Sequence, residues 1–377
     1  MKLLFVEDDP RSVAQVKKKV EEEHSDIECE VKGFAEAADW ISRQLPDIVS
    51  LDLLAPGPSG EVEVPGQEVY DWIWRERFCP IIVYSAQPDA SADKRAVHPF
   101  VRNIKKGRGS PRQFAAAVND FRPHVRAIRE AESNVQREFA VALREVAPYA
   151  FDVFSDAQQR DNTILRCGRR RLAALMDDLS RHGVGESLAS WEQYLCPPVS
   201  ADVQLGDILR HKDGPVDDPT SFSVVLTPSC DLVASGGRNP KVKNVLTASC
   251  CSMRDALARV GMPPERNANF RIRLKKTILT QGFYQGIIPL PRLEGRIPMM
   301  AADLRKLGFT PMEKIGLSGT EYLRVVSIDS PFRELVSWAY LQIGCRPGLP
   351  DRDCDSWSQE IVASCRNQPT ANRDEST

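Results

Sequence analysis

The sequence predicts a doubly wound α/β fold with a five-stranded parallel sheet at the N-terminus. It also predicts a helical connector and then a mainly-β or α+β domain. Short apolar runs alternate with helical patterns over residues 1–121. Residues 47–54 form an apolar run that includes β-branched side chains, which is typical of a parallel strand covered on both faces. Beyond residue 196, short strand patterns separated by glycine and proline indicate a second domain.

Composition limits the class of protein further. A chain of 377 residues is long enough for two or three domains, and its formal net charge of -2 provides no general attraction for nucleic acid or membrane. The apolar start runs into Glu7, Asp8 and Asp9, unlike a signal peptide, and no apolar run is long enough for a bilayer. We therefore expect a cytoplasmic protein whose ten cysteines are thiols or metal ligands and do not form a disulfide framework.

The N-terminal elements follow from the apolar spacing. Pro10 is suited to the start of a helix, which Val13, Val16 and Val20 continue at helical spacing. A second helix is expected over residues 35–44. The expected strands are Leu3–Val6, Ile27–Val31, Asp47–Leu54, Pro80–Ala86 and Phe100–Lys106.

Polar side chains follow several of these strands. Because parallel strands end at one edge of the sheet, we expect these side chains to converge there. Clustered carboxylates suit Mg²⁺, while a hydroxyl and an ammonium can bind phosphoryl oxygens. Together they predict a carboxylate nucleophile that accepts a phosphoryl group. The residues concerned are Glu7, Asp8, Asp52, Ser85 and either Lys105 or Lys106.

This set resembles the receiver domain of two-component response regulators. The resemblance implies that Asp52 is the phosphoacceptor, that Ser85 is the switch hydroxyl and that Lys106 is the family's lysine. It also implies that Glu7 and Asp8 hold Mg²⁺ together with Asp52 and the backbone carbonyl of Leu54. The motifs that carry the resemblance are Val6-Glu7-Asp8-Asp9, Leu51-Asp52-Leu53, Tyr84-Ser85-Ala86 and Ile104-Lys105-Lys106-Gly107.

Residues 123–194 are predicted to form a helical connector. Pro123 indicates a boundary after a receiver domain of residues 1–122, and Pro148 indicates the end of the first connector helix. An apolar stripe over residues 123–147 predicts either pairing with a second copy in a homodimer or packing on the same chain.

An arginine cluster follows in the connector, at Arg166 and residues 169–171. It could contact nucleic-acid phosphates, but the more common alternative is a solvated helix face paired with acids. No helix-turn-helix pattern follows, so the sequence gives little support for a transcription factor.

The C-terminal domain, residues 195–366, contains predicted strands at 205–209, 222–227 and 244–247. Cys230 and Cys250 follow two similar strand patterns and are candidate Zn²⁺ ligands, although buried unreactive thiols are the favoured interpretation. The opening Gly206-Asp207-Ile208-Leu209 faintly resembles SH3-like barrels, including PemK-type toxin ribonucleases, which implies a barrel but no ribonuclease site. Residues 367–377 are expected to be a disordered tail.

Three functions remain open from the sequence. The first is a response regulator in a phosphorelay, phosphorylated at Asp52 by a histidine kinase or phosphotransfer protein and acting through protein interaction of the C-terminal domain. The second is a nuclease or hydrolase whose activity the receiver domain controls. In one form of this hypothesis the enzyme depends on zinc. The third is a binding or scaffold role in a stress or phage-defence system. We recognise no set of catalytic residues after residue 122. The sequence therefore favours a binding function over a catalytic one for the C-terminal domain.

Overall fold

The computed structural model describes residues 1–56, 62–88, 98–177, 187–234, 239–264, 268–344 and 353–366. The chain divides into two compact units, Met1–Gly185 and Glu186–Thr377. The sequence predicts a receiver domain that ends at residue 122 and a connector that ends at residue 194. These two boundaries stay predictions. The expected disordered tail, residues 367–377, lies outside the described residues.

The N-terminal unit contains a five-stranded parallel sheet, as the sequence predicts. The strands pair in the order β2-β1-β3-β6-β7. Counted within this sheet alone, the order is 2-1-3-4-5, that of flavodoxin-like doubly wound sheets. The short strands β4 and β5 form a separate two-stranded sheet. The strands are β1 Lys2–Val6, β2 Glu28–Lys32, β3 Ile48–Leu51, β4 Ala55–Pro56, β5 Val62–Glu63, β6 Ile81–Ser85 and β7 Val101–Lys105.

Helices cover both faces of this sheet. Asp9 caps the first helix by accepting a hydrogen bond from the Arg11 N–H at 3.1 Å, and Pro10 is its first residue. One apolar cluster contains Phe5 and Phe114, and a second contains Leu4 and Leu51, so alternate residues of each strand enter separate cores. The helices are α1 Pro10–Glu23, α2 Phe34–Gln44, α3 Pro65–Glu76 and α4 Ser110–Val153.

Helix α4 runs for 44 residues and contains both Pro123 and Pro148. The prediction that these prolines end helices is wrong. Pro123 is exposed, as is Asn119, whose carbonyl loses its helical partner and can bind water. Phe121 and Val125 are buried on either side of Pro123 and pack into the core beside the sheet. Tertiary packing therefore maintains the helix through the proline.

Helix α5, Ala157–Asp177, packs antiparallel on α4. A side chain at Gly168 would meet Leu143 at 2.8 Å, and the guanidinium of Arg160 lies 4.6 Å from the ring centroid of Phe151. Helix α5 thus covers part of the apolar stripe of residues 123–147. This agrees with the second alternative predicted for the stripe, which is packing on the same chain. In the arginine cluster, Arg171 pairs with Glu145 at 2.6 Å.

The C-terminal unit contains a mainly antiparallel sheet, which confirms the predicted mainly-β or α+β class. Its strands pair in the order β12-β13-β11-β10-β9-β15-β14, with β8 on β15. The narrower prediction of an SH3-like barrel is untested. The strands are β8 Tyr194–Leu195, β9 Asp207–His211, β10 Phe222–Val225, β11 Asn244–Ser252, β12 Ile287–Leu290, β13 Met300–Pro311, β14 Ile315–Gly316 and β15 Tyr322–Ile328.

A buried ion pair joins two central strands of this second sheet. Arg324 Nε donates to Asp207 Oδ2 at 2.7 Å, and the Ser327 hydroxyl donates to Asp207 Oδ1. The side chains of Asp207 and Arg324 are at most 1% exposed. Because a buried charge is unfavourable without its partner, this ion pair favours the observed pairing of β9 with β15. The helices of this unit are α6 Ser229–Leu232, α7 Met253–Arg259, α8 Ala268–Leu274, α9 Phe332–Gly344 and α10 Cys354–Arg366, and a π-helical turn, Lys275–Leu279, follows α8.

None of the helices in the described ranges combines the length and hydropathy needed to cross a bilayer.

Candidate functional site

The predicted site residues come together at the carboxyl edge of the parallel sheet. Glu7 follows β1, Asp52 follows β3, Ser85 ends β6 and Lys106 follows β7. Backbone hydrogen bonds set these positions: the Asp52 N–H donates to the Val6 carbonyl at 3.1 Å, and the Lys106 N–H donates to the Ser85 carbonyl at 2.9 Å. The strand register therefore produces the cluster directly.

Lys106 joins the two buried carboxylates of the site. Its Nζ lies 2.5 Å from Glu7 Oε2 and 2.5 Å from Asp52 Oδ2. The side chains of Glu7 and Asp52 are 8% and 9% exposed, and that of Lys106 is 19% exposed. Lys105, the other lysine that the sequence offered, is exposed and ends β7. The structure thus places Lys106, and not Lys105, in the site.

The Asp52 carboxyl is held in its ionised form. Burial alone would raise its pKa, but the Lys106 ammonium, the neighbouring Ser85 hydroxyl and the Leu54 N–H together lower the pKa below its ordinary value. The Leu54 N–H donates to Asp52 Oδ1 at 3.2 Å. Burial likewise opposes the charge of Lys106, yet Asp52 and Glu7 raise its pKa. Both groups therefore carry their charges at neutral pH.

Ser85 has no exposed surface, and its hydroxyl forms no hydrogen bond of good geometry within the described residues. A buried hydroxyl without a hydrogen bond is unfavourable unless another group can use it. The hydroxyl lies near Asp52, where an added phosphoryl oxygen could accept its proton. The adjacent Tyr84 hydroxyl is bonded to Ser110 Oγ at 2.7 Å, so the two hydroxyls have different roles.

Asp8 faces a different group from Glu7 and Asp52. Its Oδ1 accepts a hydrogen bond from the Phe34 N–H at 3.2 Å, at the start of α2. Gly33 permits this approach, because a Cβ there would lie 2.9 Å from the same oxygen. Asp8 thus sits beside the cluster and ties it to α2.

The donor set fits Mg²⁺, which commonly takes one or two protein carboxylates and keeps several waters. Glu7 and Asp52 already converge on one cation, the Lys106 ammonium. Across the described residues no three His, Cys, Asp or Glu side chains are arranged as a metal centre. The parts assigned to Asp8 and to the Leu54 carbonyl in holding Mg²⁺ remain predictions.

Two residues that contact the site were not recognised from the sequence. Ser12 Oγ lies 3.4 Å from Lys106 Nζ. A Cβ at Gly66 would lie 2.1 Å from the Asp52 carbonyl oxygen, so only glycine allows α3 to begin so close to Asp52. The sequence Pro65-Gly66 at a helix start was the available signal for this close approach.

The prediction that Cys230 and Cys250 both lie at strand ends is wrong, and their role as Zn²⁺ ligands stays a prediction. Cys230 lies exposed in the short helix α6, whereas Cys250 lies within β11 and belongs to the apolar core. Burial strongly raises the pKa of the Cys250 thiol, which disfavours the thiolate that zinc requires. Since β11 runs to Ser252, the repeated sequence pattern does not mark two equivalent strand ends.

Comparisons with known proteins add the following. No protein-family model matches the chain, and no curated protein matches it. The signal receiver domain of a putative Luxo repressor protein from Vibrio parahaemolyticus is 21% identical, with 35% of this chain and 94% of that chain covered and a TM-score of 0.28. The response regulator domain of Thermotoga maritima CheB is 20% identical, with 34% and 94% covered and a TM-score of 0.26.

The N-terminal part of the chain is similar to receiver domains. A third such structure, the receiver domain of Erythrobacter litoralis PhyR, is 17% identical over 32% of this chain and 87% of that chain, with a TM-score of 0.25. These identities and TM-scores are low. Conclusions about function therefore depend on the strand order and the site geometry of this chain, and not on these matches. The comparisons leave the C-terminal unit unidentified.

Proposed function

We propose that this chain is a response regulator in which Asp52 accepts a phosphoryl group from a histidine kinase or a phosphotransfer protein. The observation that carries the proposal is the convergence of Glu7, Asp52, Ser85 and Lys106 at one edge of the parallel sheet. An ion pair with a purely structural role would not require beside it a buried hydroxyl that forms no hydrogen bond of good geometry with any described residue.

The reaction is a phosphoryl transfer between two side chains. An Asp52 oxygen attacks the phosphorus of a phosphohistidine, the P–N bond breaks, and the imidazole leaves with its electron pair and takes up a proton from solvent. The lowered pKa of Asp52 keeps the nucleophile ionised. The Lys106 ammonium and the Ser85 hydroxyl then bind the oxygens of the new aspartyl phosphate.

Glu7, Asp8 and Asp52 would hold Mg²⁺ beside the phosphoryl group, together with the Leu54 carbonyl. The ion, when bound, offsets the repulsion between carboxylate and phosphoryl oxygens. In the chain itself, Glu7 holds the Lys106 ammonium next to Asp52. Glu7 is in turn oriented by the Asp9 N–H, which donates to Glu7 Oε1 at 3.2 Å.

The C-terminal unit is the proposed output, acting through protein interaction. Homodimerisation through residues 123–147 remains part of this proposal. The exposed Val135 on α4 supports it, while Ala142 is fully buried and unavailable to a second copy. A dimer would therefore use the part of the stripe near Val135.

Intact mass spectrometry tests the proposal. The full chain is incubated with acetyl phosphate and Mg²⁺, and the expected product carries one added phosphoryl group. Asp52→Asn should abolish the addition, whereas Asp39→Asn, a change at an exposed position of α2, should retain it. Equal labelling of the wild type and Asp52→Asn, or no labelling of the wild type, would contradict the proposal.

A further inference from the structure

The loop that follows Lys106 is short and contains two glycines. Gly107, Arg108 and Gly109 separate Lys106 from α4, and Gly109 has a φ of 101°, in the left-handed region. Glycine leaves the backbone more conformational freedom than other residues do. The ammonium of Lys106 nevertheless lies 2.5 Å from an oxygen of each of two carboxylates. Contacts from outside the loop are therefore needed to hold Lys106 in this place.

Ser110, the first residue of α4, ties the loop to the helix. Its hydroxyl donates to the Gly107 carbonyl at 2.8 Å and accepts a hydrogen bond from the Gly107 N–H at 3.3 Å. The Ser110 N–H also donates to the Gly107 carbonyl, at 3.1 Å. A serine hydroxyl has one proton and two lone pairs, so Ser110 Oγ can accept one further hydrogen bond.

Tyr84 of β6 provides this further hydrogen bond. Its hydroxyl lies 2.7 Å from Ser110 Oγ, and both residues are 4% exposed. Because the Ser110 proton is already donated to Gly107, the Tyr84 hydroxyl is the donor. The Tyr84 ring makes an edge-to-face contact with Phe114 of α4, with the ring centroids 5.5 Å apart. Tyr84 thus fastens β6 to the start of α4 at a fixed position.

The ring of Tyr84 also contacts the lysine directly. Lys106 Nζ lies over the ring, 5.7 Å from its centroid, a distance at which an ammonium is attracted to an aromatic face. The Lys106 N–H donates to the carbonyl of Ser85, the next residue on β6, at 2.9 Å. The Tyr84 side chain therefore acts on Lys106 in two ways, on its backbone through Ser110 and Gly107 and on its ammonium through the ring.

We propose that Tyr84 is a positioning residue for the phosphorylation of Asp52. It holds the Lys106 ammonium at the place where negative charge develops on the transferring phosphoryl group, and its hydroxyl acts through Ser110. Tyr84 does not contact the phosphoryl group itself. This inference rests on the proposed function of Asp52 and names a buried residue on which the rate of that reaction depends.

Labelling of the full chain by acetyl phosphate, followed by intact mass at several phosphodonor concentrations, tests this role. Tyr84→Phe removes one buried hydroxyl and keeps the ring, and the limiting rate should fall about fivefold. The concentration that gives half of the limiting rate should stay close to wild type, because the lost interaction acts in the transition state. The matched control, Tyr194→Phe, removes a buried hydroxyl that donates to the Pro291 carbonyl at 3.0 Å in the C-terminal unit. It should retain both wild-type values.

The Lys106→Met background separates positioning from a general effect on the fold. Tyr84→Phe should cause no further loss of rate there, because no ammonium remains to be positioned. Slowing by the same factor in both backgrounds would indicate a structural role and would overturn the proposal.

Ser110→Ala approaches the same contact from α4. It should slow labelling at least as much as Tyr84→Phe does, and adding Tyr84→Phe to Ser110→Ala should have little further effect. Equal limiting rates in the wild type and Tyr84→Phe would overturn the positioning role and leave the proposed function of Asp52 intact. A wild type that is not labelled at all would overturn both.

Discussion

Strand β3 has a buried aspartate at each end, and the two are held in different ways. Asp47 precedes the strand, and its side chain is 2% exposed. Its Oδ2 accepts a hydrogen bond from the Lys2 N–H at 2.6 Å, and its carboxylate pairs with Arg129 of α4. Asp52 follows the strand and is held by Lys106, beside the Ser85 hydroxyl, which forms no good hydrogen bond in the part of the chain that the structure describes.

The difference shows how one residue type serves two purposes on one strand. Arg129 offers a planar fork that suits lasting pairing with a carboxylate, so Asp47 anchors the middle of α4 to the sheet. Arg77, at the end of α3, adds a second such pair with Glu132 of α4. The ammonium of Lys106 is a point charge that can be shared with an incoming anion. Asp47 is thus an anchor, whereas Asp52 is the proposed phosphoacceptor.

The largest effect on the reactive end is expected from Lys106→Met. Removing the ammonium takes away the charge that stabilises the developing phosphoryl oxygens, so labelling by acetyl phosphate should slow by about 100-fold. Time courses of intact mass measure the rate. Lys105→Met removes an exposed lysine from the adjacent position and should retain the wild-type rate. A similar loss in both variants would mean that general charge, and not the site, determines labelling.

Removing the Asp47 anchor should lower the stability of the fold and leave the phosphorylation of Asp52 unchanged. Asp47→Ala leaves the Lys2 N–H without its acceptor and releases Arg129, so the free energy of unfolding should fall by about 1–3 kcal/mol. Urea unfolding monitored by circular dichroism measures this change. Asp39→Ala, which removes an exposed aspartate paired with Arg43, should change it by less than about 0.5 kcal/mol. Loss of labelling in a folded Asp47→Ala protein would contradict the separation of the two ends.

Ser85→Ala should slow phosphorylation without lowering stability, which is the reverse of the effect expected for Asp47→Ala. Labelling should slow by about tenfold, the equivalent of one hydrogen bond to a charged oxygen. Stability should stay the same or increase, because the variant removes a buried hydroxyl that has no good hydrogen bond among the described residues. Ser50→Ala, at a buried serine within β3, provides the control and should label normally. A destabilised Ser85→Ala protein would show that the hydroxyl serves the fold.

The smallest effect is expected from pH. The pKa of Asp52 is lowered from 3.8, so its ionised form, and the stability this form contributes, persist above that value and are lost only as pH falls further. Labelling of the wild type should change by less than about twofold between pH 8 and 6. In Lys106→Met the pKa of Asp52 rises, and the rate should begin to fall at higher pH than in the wild type. Parallel pH profiles would contradict the assigned role of Lys106.

The N-terminal fold and site were predictable because they depend on local pattern. Apolar runs located all five strands, and a parallel sheet necessarily brings Glu7, Asp52 and Ser85 to one edge. The choice of Lys106 over Lys105 required the resemblance to a family, since both lysines end the same strand pattern. The structure supports that choice through the direction of the two side chains.

Other features depend on contacts that local sequence does not contain. The continuation of α4 through Pro123 requires buried Phe121 and Val125 on one face and solvent on the other. The burial of Cys250 follows from the pairing of β11 with β13, where Cys250 lies opposite Ala302 across a register shift. Ala302 is far from Cys250 in the sequence, so a strand-end pattern could not reveal this pairing.

The most direct test of the account locates the phosphoryl group on the chain. After labelling with acetyl phosphate, borohydride reduction converts an aspartyl phosphate to homoserine, which peptide mass spectrometry can assign to one residue. We expect homoserine at Asp52 and an intact aspartate at Asp47. Homoserine at Asp47, or modification at neither residue of a folded and labelled chain, would contradict it.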